Sequence, residues 1–150
     1  MEKVEVLQTV VPESRELIER RYIILRNIYF SQPVGRRALA AKLDLSERTI
    51  RREVEVLRQQ GLVEPDPLGM QLTPEGEAVL ASLTEFLHDL LGLGELERSL
   101  EKLLNLKEVI VVPGDSDRDE TIKKEIAKAT ARFLLKRLHG GQVLVVTGGT

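Results

Sequence analysis

The chain has 150 residues, 42% hydrophobic content, no cysteine and a formal net charge of −2. This length and hydrophobicity are typical of folded globular material, either one ordinary domain or a small domain joined to part of another. The absence of cysteine excludes disulfide bonds and thiolate metal sites, and we expect a reducing, cytoplasmic location. Acidic side chains are scattered through the first residues and no apolar run approaches membrane-spanning length, so neither a signal peptide nor a transmembrane helix is predicted.

The charge is distributed unevenly along the chain. Residues 31–63 carry a net charge of +3, residues 64–120 carry −10 and residues 121–150 carry +5. A basic segment followed by a strongly acidic one indicates separate modules, of which the first is able to face a polyanion.

Apolar residues at helical spacing predict an amphipathic helix from Pro12 to about Ser31. The stretch "SQPVG" interrupts that pattern, and "RRALAAKL" resumes it for about two turns. Asp44 tolerates the left-handed backbone that a tight turn needs, and Ser46 is a good N-cap. We therefore predict a second helix that ends before Asp44 and a third that starts at Ser46.

The third helix carries one apolar stripe formed by Ile50, Val54 and Leu57, and we expect it to end at Gly61. The stretch "LVEPDPLGMQL" then gives two short apolar segments around a Pro, Asp and Gly turn, which is typical of a β-hairpin. Helix, turn, helix and hairpin in this order predict a winged helix-turn-helix domain over residues 12–74. In such a domain the second helix of the motif lies in the DNA major groove.

The outward face of that third helix is rich in arginine, whose planar fork can donate two hydrogen bonds to one guanine. We predict that Arg48, Arg51 and Arg52 contact base edges. The residues predicted to contact DNA phosphates are Arg36, Arg37, Lys42, Thr49 and Arg58. The wing carries Glu64 and Asp66 and no basic residue, so we expect few phosphate contacts from it. A winged helix used for protein contacts stays open as an alternative.

Residues 75–105 hold more leucine than the core of a small domain needs. Thr73 is the predicted N-cap of this segment, followed by Pro74 at the first helical position. We predict a helical linker that dimerises the protein, with Leu87 and Leu100 in the interface. The alternative is that these leucines pack on the winged helix.

Residues 106–150 read as an apolar strand "EVIVV", a polar helix over about Asp119–Leu138 and a second strand "QVLVV", which together predict one βαβ unit beginning an α/β domain. The fold class is therefore mainly α with a truncated α/β part.

The closing "TGGT" could hold a phosphate through Thr147, Gly148, Gly149 and Thr150, or it could be a plain turn. We expect no metal, no cofactor and no enzymatic activity. Structural roles are expected for His88 and His139, and a capped loop for Asp115, Asp117 and Asp119.

A resemblance to a known protein family spans nearly the whole chain. The stretches that carry it include "PVGRRALAAKLDLSERTIRREVEVLRQQGLV", "LGLGELERSLEKLLNLKEVIVVPGDSD" and "VTGGT". The sequence resembles the SorC family of transcriptional repressors, in the branch that controls glycolytic genes. The resemblance implies an N-terminal winged helix domain that binds operator DNA, joined to an effector domain similar to sugar-phosphate isomerases and deaminases. It also implies the effector fructose 1,6-bisphosphate, a Thr-Gly-Gly-Thr loop that binds its phosphate, and a homodimer or higher homo-oligomer.

Because the chain stops within that loop, we expect most of the sugar pocket to lie outside it. Fructose 1,6-bisphosphate is then expected to leave DNA binding and the melting temperature unchanged. A second hypothesis is a truncated sugar-phosphate isomerase or deaminase with an accessory winged helix domain. The absence of a recognisable catalytic carboxylate or histidine set disfavours it.

Overall fold

The chain is mainly helical with one small antiparallel sheet, in a computed structural model that describes residue 6 and residues 9–147. The elements in chain order are α1 (Ser14–Ser31), α2 (Arg36–Leu43), α3 (Glu47–Gln59), β1 (Val63–Asp66), β2 (Gly69–Leu72), α4 (Pro74–Leu90), α5 (Leu93–Leu104) and α6 (Glu120–Arg137). This confirms the predicted mainly α fold class. Within the described residues, no helix is long and apolar enough to cross a membrane.

One hydrophobic core holds α1 against the helix-turn-helix and the hairpin. Ile24, Leu25 and Ile28 lie on one side of α1 and are at most 1% exposed. The buried side chains that cluster with them come from α2, α3, both strands and α4, and include Leu39, Ile50, Leu57, Val63, Leu72, Leu80 and Leu87. Burying one such side chain contributes about 1.5–3 kcal/mol. The core therefore fixes the position of α3 on α1.

The turn between α2 and α3 has the two features that the sequence predicts. Asp44 has φ 52° in the left-handed region, and its backbone N–H donates to the carbonyl of Ala40. The Ser46 Oγ accepts a hydrogen bond of 3.0 Å from the backbone N–H of Thr49. An N-cap of this kind satisfies an amide that the helix itself cannot pair. The start of α3 is thus fixed at Glu47.

The wing is the β1–β2 hairpin, with Val63 opposite Leu72 and Asp66 opposite Gly69. Val34 extends this sheet by a bridge to Met70, with two backbone hydrogen bonds of 3.0 Å each. A Cβ at Gly69 would lie 2.5 Å from the Val34 carbonyl, closer than a side-chain carbon can approach. Glycine is required there, and the wing is held against the start of α2.

The leucines of α4 and α5 have different surroundings. Leu80 and Leu87 of α4 are 7% and 1% exposed and belong to the core that α1 organises. The expectation that Leu87 lies in a dimer interface is therefore wrong, because the chain's own core already covers this side chain. On α5, Leu103 and Leu104 are 80% and 57% exposed. Within residues 75–105, the strongly exposed leucines therefore lie on α5.

The helix predicted for the C-terminal part is present as α6, but the two flanking strands of the expected βαβ unit are not formed in the described residues. The backbone N–H groups of Val109 and Val111 donate instead to the carboxylates of Glu101 and Glu97, at 3.0 and 2.8 Å. Side chains of α5 thus occupy donors that a neighbouring strand would pair. Residues 142–147 are exposed, with Val143 at 88%.

A buried arginine ties α1 to the start of α6. The Arg26 side chain is 3% exposed, and its Nη2 lies 2.9 Å from Asp119 Oδ2. Its Nε donates to Thr121 Oγ1 at 3.1 Å and its Nη1 to the carbonyl of Pro113 at 3.4 Å. The Asn27 Nδ2 donates to the same Asp119 oxygen at 3.1 Å. We call this set of contacts the Arg26 clamp.

The Asp119 carboxylate is the acceptor on which the clamp depends. Burial raises its pKa, but hydrogen bonds from Thr121, Asn27 and Arg26 outweigh burial and hold the pKa below its usual value. Its Oδ1 also accepts from the Thr121 backbone N–H at 2.9 Å and so caps α6. One carboxylate therefore serves both the helix start and the contact with α1.

Replacing Asp119 by Asn keeps the size and one capping oxygen but removes the charge that faces Arg26. Removal of one partner from a buried ion pair costs about 3–5 kcal/mol, because the remaining charge is left uncompensated. We expect Asp119→Asn to lower the free energy of unfolding by about that amount in urea denaturation at pH 7. Asp115→Asn is the matched control, since Asp115 makes an exposed 3.5 Å pair with Arg118, a type worth about 0–1 kcal/mol. Equal stability of the two variants would contradict the role of the clamp.

The same pair sets a pH dependence whose sign follows from the lowered pKa of Asp119. A carboxylate with a depressed folded-state pKa contributes stability above its unfolded pKa of about 3.9, and loses it as the pH falls through the folded value. We therefore expect the gap in stability between wild type and Asp119→Asn to be constant from pH 7 to about pH 5 and to narrow below about pH 4. Denaturation series at fixed pH values measure this gap.

Candidate nucleic-acid interface

The exposed face of α3 carries the arginines that the sequence predicts as base readers. Ile50, Val54 and Leu57 are buried against α1 and the wing. At about 100° per residue, Arg48 and Arg52 lie nearly opposite this stripe, whereas Arg51 lies on the flank toward the wing. All three arginines are exposed. The helix therefore presents its guanidinium groups to solvent along one side.

These arginines differ in whether their donors are free. Within the described residues, Arg48 and Arg51 make no hydrogen bond or ion pair. Arg52, although its side chain is 69% exposed, has its Nη2 3.0 Å from the Glu53 carboxylate. Free guanidinium donors are what a bidentate contact to guanine requires. Arg48 and Arg51 thus fit the base-reading prediction directly, and Arg52 does so only in the orientation that Glu53 allows.

A groove of about 530 Å³ runs between α3 and the wing. Arg36, Arg51 and Arg58 line it on the helical side, and Glu64 and Pro65 line it on the wing side. The floor is apolar, and the lining has three arginines against the two carboxylates of Glu55 and Glu64, a net charge of +1. A groove with this charge along a helix is suited to the backbone of a polyanion.

The residues predicted as phosphate contacts lie around this face with different partners. Arg36 makes no hydrogen bond or ion pair in the described part of the chain. Arg37 pairs with Glu47 at 3.5 Å, and Lys42 donates to Ser31 Oγ at 2.8 Å. The Thr49 hydroxyl contacts the Ser46 hydroxyl at 2.8 Å, which fixes it at the start of α3.

Arg58 makes a two-point contact with Glu55. Its Nη2 and Nε lie 2.9 and 3.1 Å from the two carboxylate oxygens, and Gln59 donates to the same carboxylate at 3.1 Å. Donation from Arg58 to the Glu55 carboxylate lowers the pKa of Glu55 and raises the pKa of Arg58. Arg58 therefore remains cationic and lines the groove as the partner of Glu55.

A charge cluster at the junction of α1 and α3 was not among the sequence predictions. The Glu53 side chain is 2% exposed and lies 3.0 Å from Arg21 Nε and 3.9 Å from Arg20 Nη1, in addition to Arg52. Burial raises the pKa of Glu53, but hydrogen bonds from Arg21 and Arg52 hold it below the usual value. The available signal in the sequence was a glutamate three residues after Ile50, within the apolar stripe of the helix.

The acidic residues of the wing have local roles. Gln71 donates to the Glu64 carboxylate at 2.8 Å across the hairpin, and the Asp66 carboxylate accepts from the backbone N–H of Leu68 at 2.9 Å. Leu68 itself is 80% exposed at the tip. The described wing offers no cation to a phosphate, in agreement with its sequence.

The other predicted site lies at the end of the chain. Thr147 is exposed, while Gly148, Gly149 and Thr150 lie outside the described residues. His88 Nε2 of α4 is 3.1 Å from Glu97 of α5, and His139 Nδ1 is 2.8 Å from the Arg137 carbonyl. Among the residues that the structure describes, no group of three or more His, Cys, Asp or Glu could hold a metal ion.

Comparison with known proteins divides the chain into a DNA-binding part and a sugar-binding part. Residues 17–87 match the family model of the CggR N-terminal DNA binding domain, and residues 88–150 match a sugar-binding domain family. The chain is 40% identical over 147 residues to the central glycolytic genes regulator of Bacillus subtilis (strain 168), covering 98% of this chain and 43% of that protein. It is 43% identical over 148 residues to the protein of the same name from Priestia megaterium (strain DSM 319 / IMG 1521), with 98% and 43% coverage.

The chain thus spans less than half the length of the curated relatives it matches. The two family models meet between residues 87 and 88, at the end of α4, and together they account for residues 17–150. This confirms the resemblance noted from the sequence. Residues 17–87 are therefore similar to the CggR N-terminal DNA binding domains and residues 88–150 to a sugar-binding domain family, and the chain as a whole is similar to central glycolytic genes regulators.

Proposed function

We propose that this protein is a sequence-specific DNA-binding repressor of glycolytic genes that reads its operator through α3. The observation that carries the proposal is the pair of free, exposed guanidinium groups of Arg48 and Arg51 beside a groove rimmed by Arg36 and Arg58. This face belongs to the domain that matches a DNA-binding family. The protein then acts as a regulator in the cytoplasm and not as an enzyme.

The proposed roles follow from which donors are free. Arg48 and Arg51 contact base edges, and Arg52 contributes a base contact from the position set by Glu53. The phosphate contacts come from α2, from the start of α3 and from the groove, namely Arg36, Arg37, Lys42, Thr49 and Arg58. Phosphate contacts give affinity in any sequence, whereas base contacts give specificity.

The proposal is tested by the effect of single arginines on the binding of two DNA duplexes. One is the tightest duplex that the wild-type chain selects from a random-sequence pool, and the other is a scrambled duplex of the same composition. Arg48→Ala and Arg51→Ala are each expected to weaken the selected duplex by about 1–3 kcal/mol and to leave the scrambled one nearly unchanged, as loss of a bidentate base contact should. Fluorescence anisotropy titrations measure both affinities.

Arg58→Ala is the matched comparison, since it removes an arginine from the same helix but from a phosphate position. It should weaken both duplexes alike and reduce the slope of log affinity against log salt by about one. If Arg48→Ala and Arg51→Ala behaved as Arg58→Ala does, the base-reading assignment would be wrong. A wild-type chain that selects no duplex would instead favour a winged helix used for protein contacts, for which the acidic wing and exposed Leu68 are the best argument.

We also propose that the repressor is a homodimer or a higher homo-oligomer whose copies meet through α5. Leu96, Leu103 and Leu104 form an exposed apolar stripe on this helix, at 46%, 80% and 57%. A single recognition helix contacts only a few bases, so two copies read a longer sequence than one. The two-fold symmetry of a dimer places the two recognition helices on the two halves of a palindromic operator.

Leu103→Asp would place a charge in that interface, where its desolvation is costly, without disturbing the chain's own core. We expect sedimentation velocity at micromolar concentration to show a dimer for wild type and a monomer for this variant. Lys102→Asp, on the polar side of the same helix, should remain dimeric. A wild-type chain that sediments as a monomer would exclude this arrangement for residues 1–150.

The second proposed partner is a phosphorylated sugar, fructose 1,6-bisphosphate, held in part by Thr147, Gly148, Gly149 and Thr150. The sugar-binding family match over residues 88–150 supports the ligand class, and the resemblance of the loop supports the phosphate contact. Binding of this ligand would control operator affinity only if it favoured one of two states of the regulator.

Thermal denaturation of the 150-residue chain tests whether the described part of this domain suffices for the site. Residues 142–147 are exposed and pair with no described strand, so the segment leading into the loop is not preorganised. We expect millimolar fructose 1,6-bisphosphate to leave the melting temperature unchanged, since only a ligand of the native state stabilises it. A saturable rise with the bisphosphate but not with inorganic sulfate would show that residues 88–150 already form the site.

A further inference from the structure

Glu53 is the one carboxylate of α3 that faces inward. Its side chain is 2% exposed, while Glu55 on the same helix is 46% exposed. A buried carboxylate is costly unless cations and hydrogen bonds compensate it. Here the compensation comes from three arginines, two of them on a different helix.

The contacts of Glu53 divide between the two helices. Its Oε2 accepts from Arg21 Nε of α1 at 3.0 Å, and its Oε1 accepts from Arg52 Nη2 of α3 at 3.0 Å. Arg20 Nη1 lies 3.9 Å from Oε1. The carboxylate therefore couples the rotation of α3 relative to α1 to the orientation of Arg52 on the exposed face.

The position of this cluster on α3 places Arg20 and Arg21 beside the reading face. Measured from Ile50 at about 100° per residue, Glu53 lies on the side of the buried stripe away from Arg51 and the wing groove. The Arg20 and Arg21 side chains are 28% and 32% exposed, so part of each side chain reaches solvent. Arg20 Nη2 also pairs with the exposed carboxylate of Glu16 at 2.5 Å, so three arginines and two carboxylates leave a net local charge of +1.

We propose that Glu53 is a positioning residue for DNA recognition, and that Arg20 and Arg21 form a second phosphate-contacting edge on the side of α3 opposite the wing. Glu53 holds the Arg52 guanidinium in one orientation, so that this flexible side chain meets the DNA already ordered. It also keeps a negative charge close to the phosphates, which restrains binding to arbitrary sequences. This inference rests on the proposed function and assigns roles that the α3 arginines alone do not supply.

Glu53→Gln separates this role from a merely structural one. The variant keeps an acceptor for one arginine but frees Arg52 and removes a negative charge. We expect affinity for the scrambled duplex to rise a few-fold and its salt slope to steepen by about one. The ratio of selected to scrambled affinity should fall by about five-fold or more, as expected for a disordered base contact. A purely structural loss would weaken both duplexes, lower the melting temperature and leave the salt slope unchanged.

Glu19→Gln is the matched control, because it makes the same charge change in an exposed 2.9 Å pair with Arg15 on α1. It should leave the affinity ratio at the wild-type value. Arg52→Ala should lower the ratio as Glu53→Gln does, and the double variant should lower it no further, since both changes remove one ordered guanidinium. Additive losses in the double variant would overturn the positioning role.

Two further variants keep the inference testable if Glu53→Gln does not fold. Arg20→Ala is expected to weaken both duplexes alike and to flatten the salt slope by about one, and Arg52→Ala to reduce the ratio. An unchanged slope in the first, or an unchanged ratio in the second, would overturn the proposal. A wild-type chain with no preference between the duplexes would defeat the proposed function itself, whereas a preference that survives Glu53→Gln would defeat this inference alone.

Discussion

A guanidinium group cannot be left unpaired in a protein interior, and the burial of Arg26 in the middle of α1 sets much of this structure. The apolar side of that helix holds the helix-turn-helix and the wing, while Arg26 and Asn27 hold Asp119 and the loop before α6. One helix therefore serves two domains. The DNA-binding family match ends at residue 87 and the sugar-binding family match begins at residue 88. The Arg26–Asp119 ion pair joins a residue of the first match to a residue of the second.

Glu53 is a second buried charge that needs partners, but here the buried group is a carboxylate and its partners are arginines. There a buried carboxylate gathers arginines from α1 and α3, whereas at the clamp a buried arginine gathers acceptors from the segment before and within α6. Both pairs lower the pKa of the carboxylate, and each connects α1 to another helix, α3 at Glu53 and α6 at Asp119. Consequently α1 is more than a scaffold, because its polar positions orient both neighbours.

The features that the sequence predicts well depend on residues close together in the chain. The left-handed turn at Asp44, the Ser46 cap and the Thr73 cap each rely on backbone groups within four residues, so local chemistry suffices. The Arg26–Asp119 pair joins residues 93 apart, and no local pattern marks it. Leu87 could not be assigned from spacing alone, since a leucine facing α1 and one facing a second copy follow the same period. The apolar residues around Val109 and Val111 have the composition of a strand, but the backbone N–H groups of these two residues donate to glutamate side chains and not to a neighbouring strand.

The close approach of Gly69 to the Val34 carbonyl limits which changes the wing can accept. Any side chain at this position would push β2 away from the start of α2, so we expect a substitution there to destabilise the hairpin. Additional residues can be accommodated only at Pro67 and Leu68, beyond the last paired residues Asp66 and Gly69. Changes in the length of the wing are therefore confined to its tip, which makes that turn the natural position for inserting a short tag or a fluorescent label without disturbing α3.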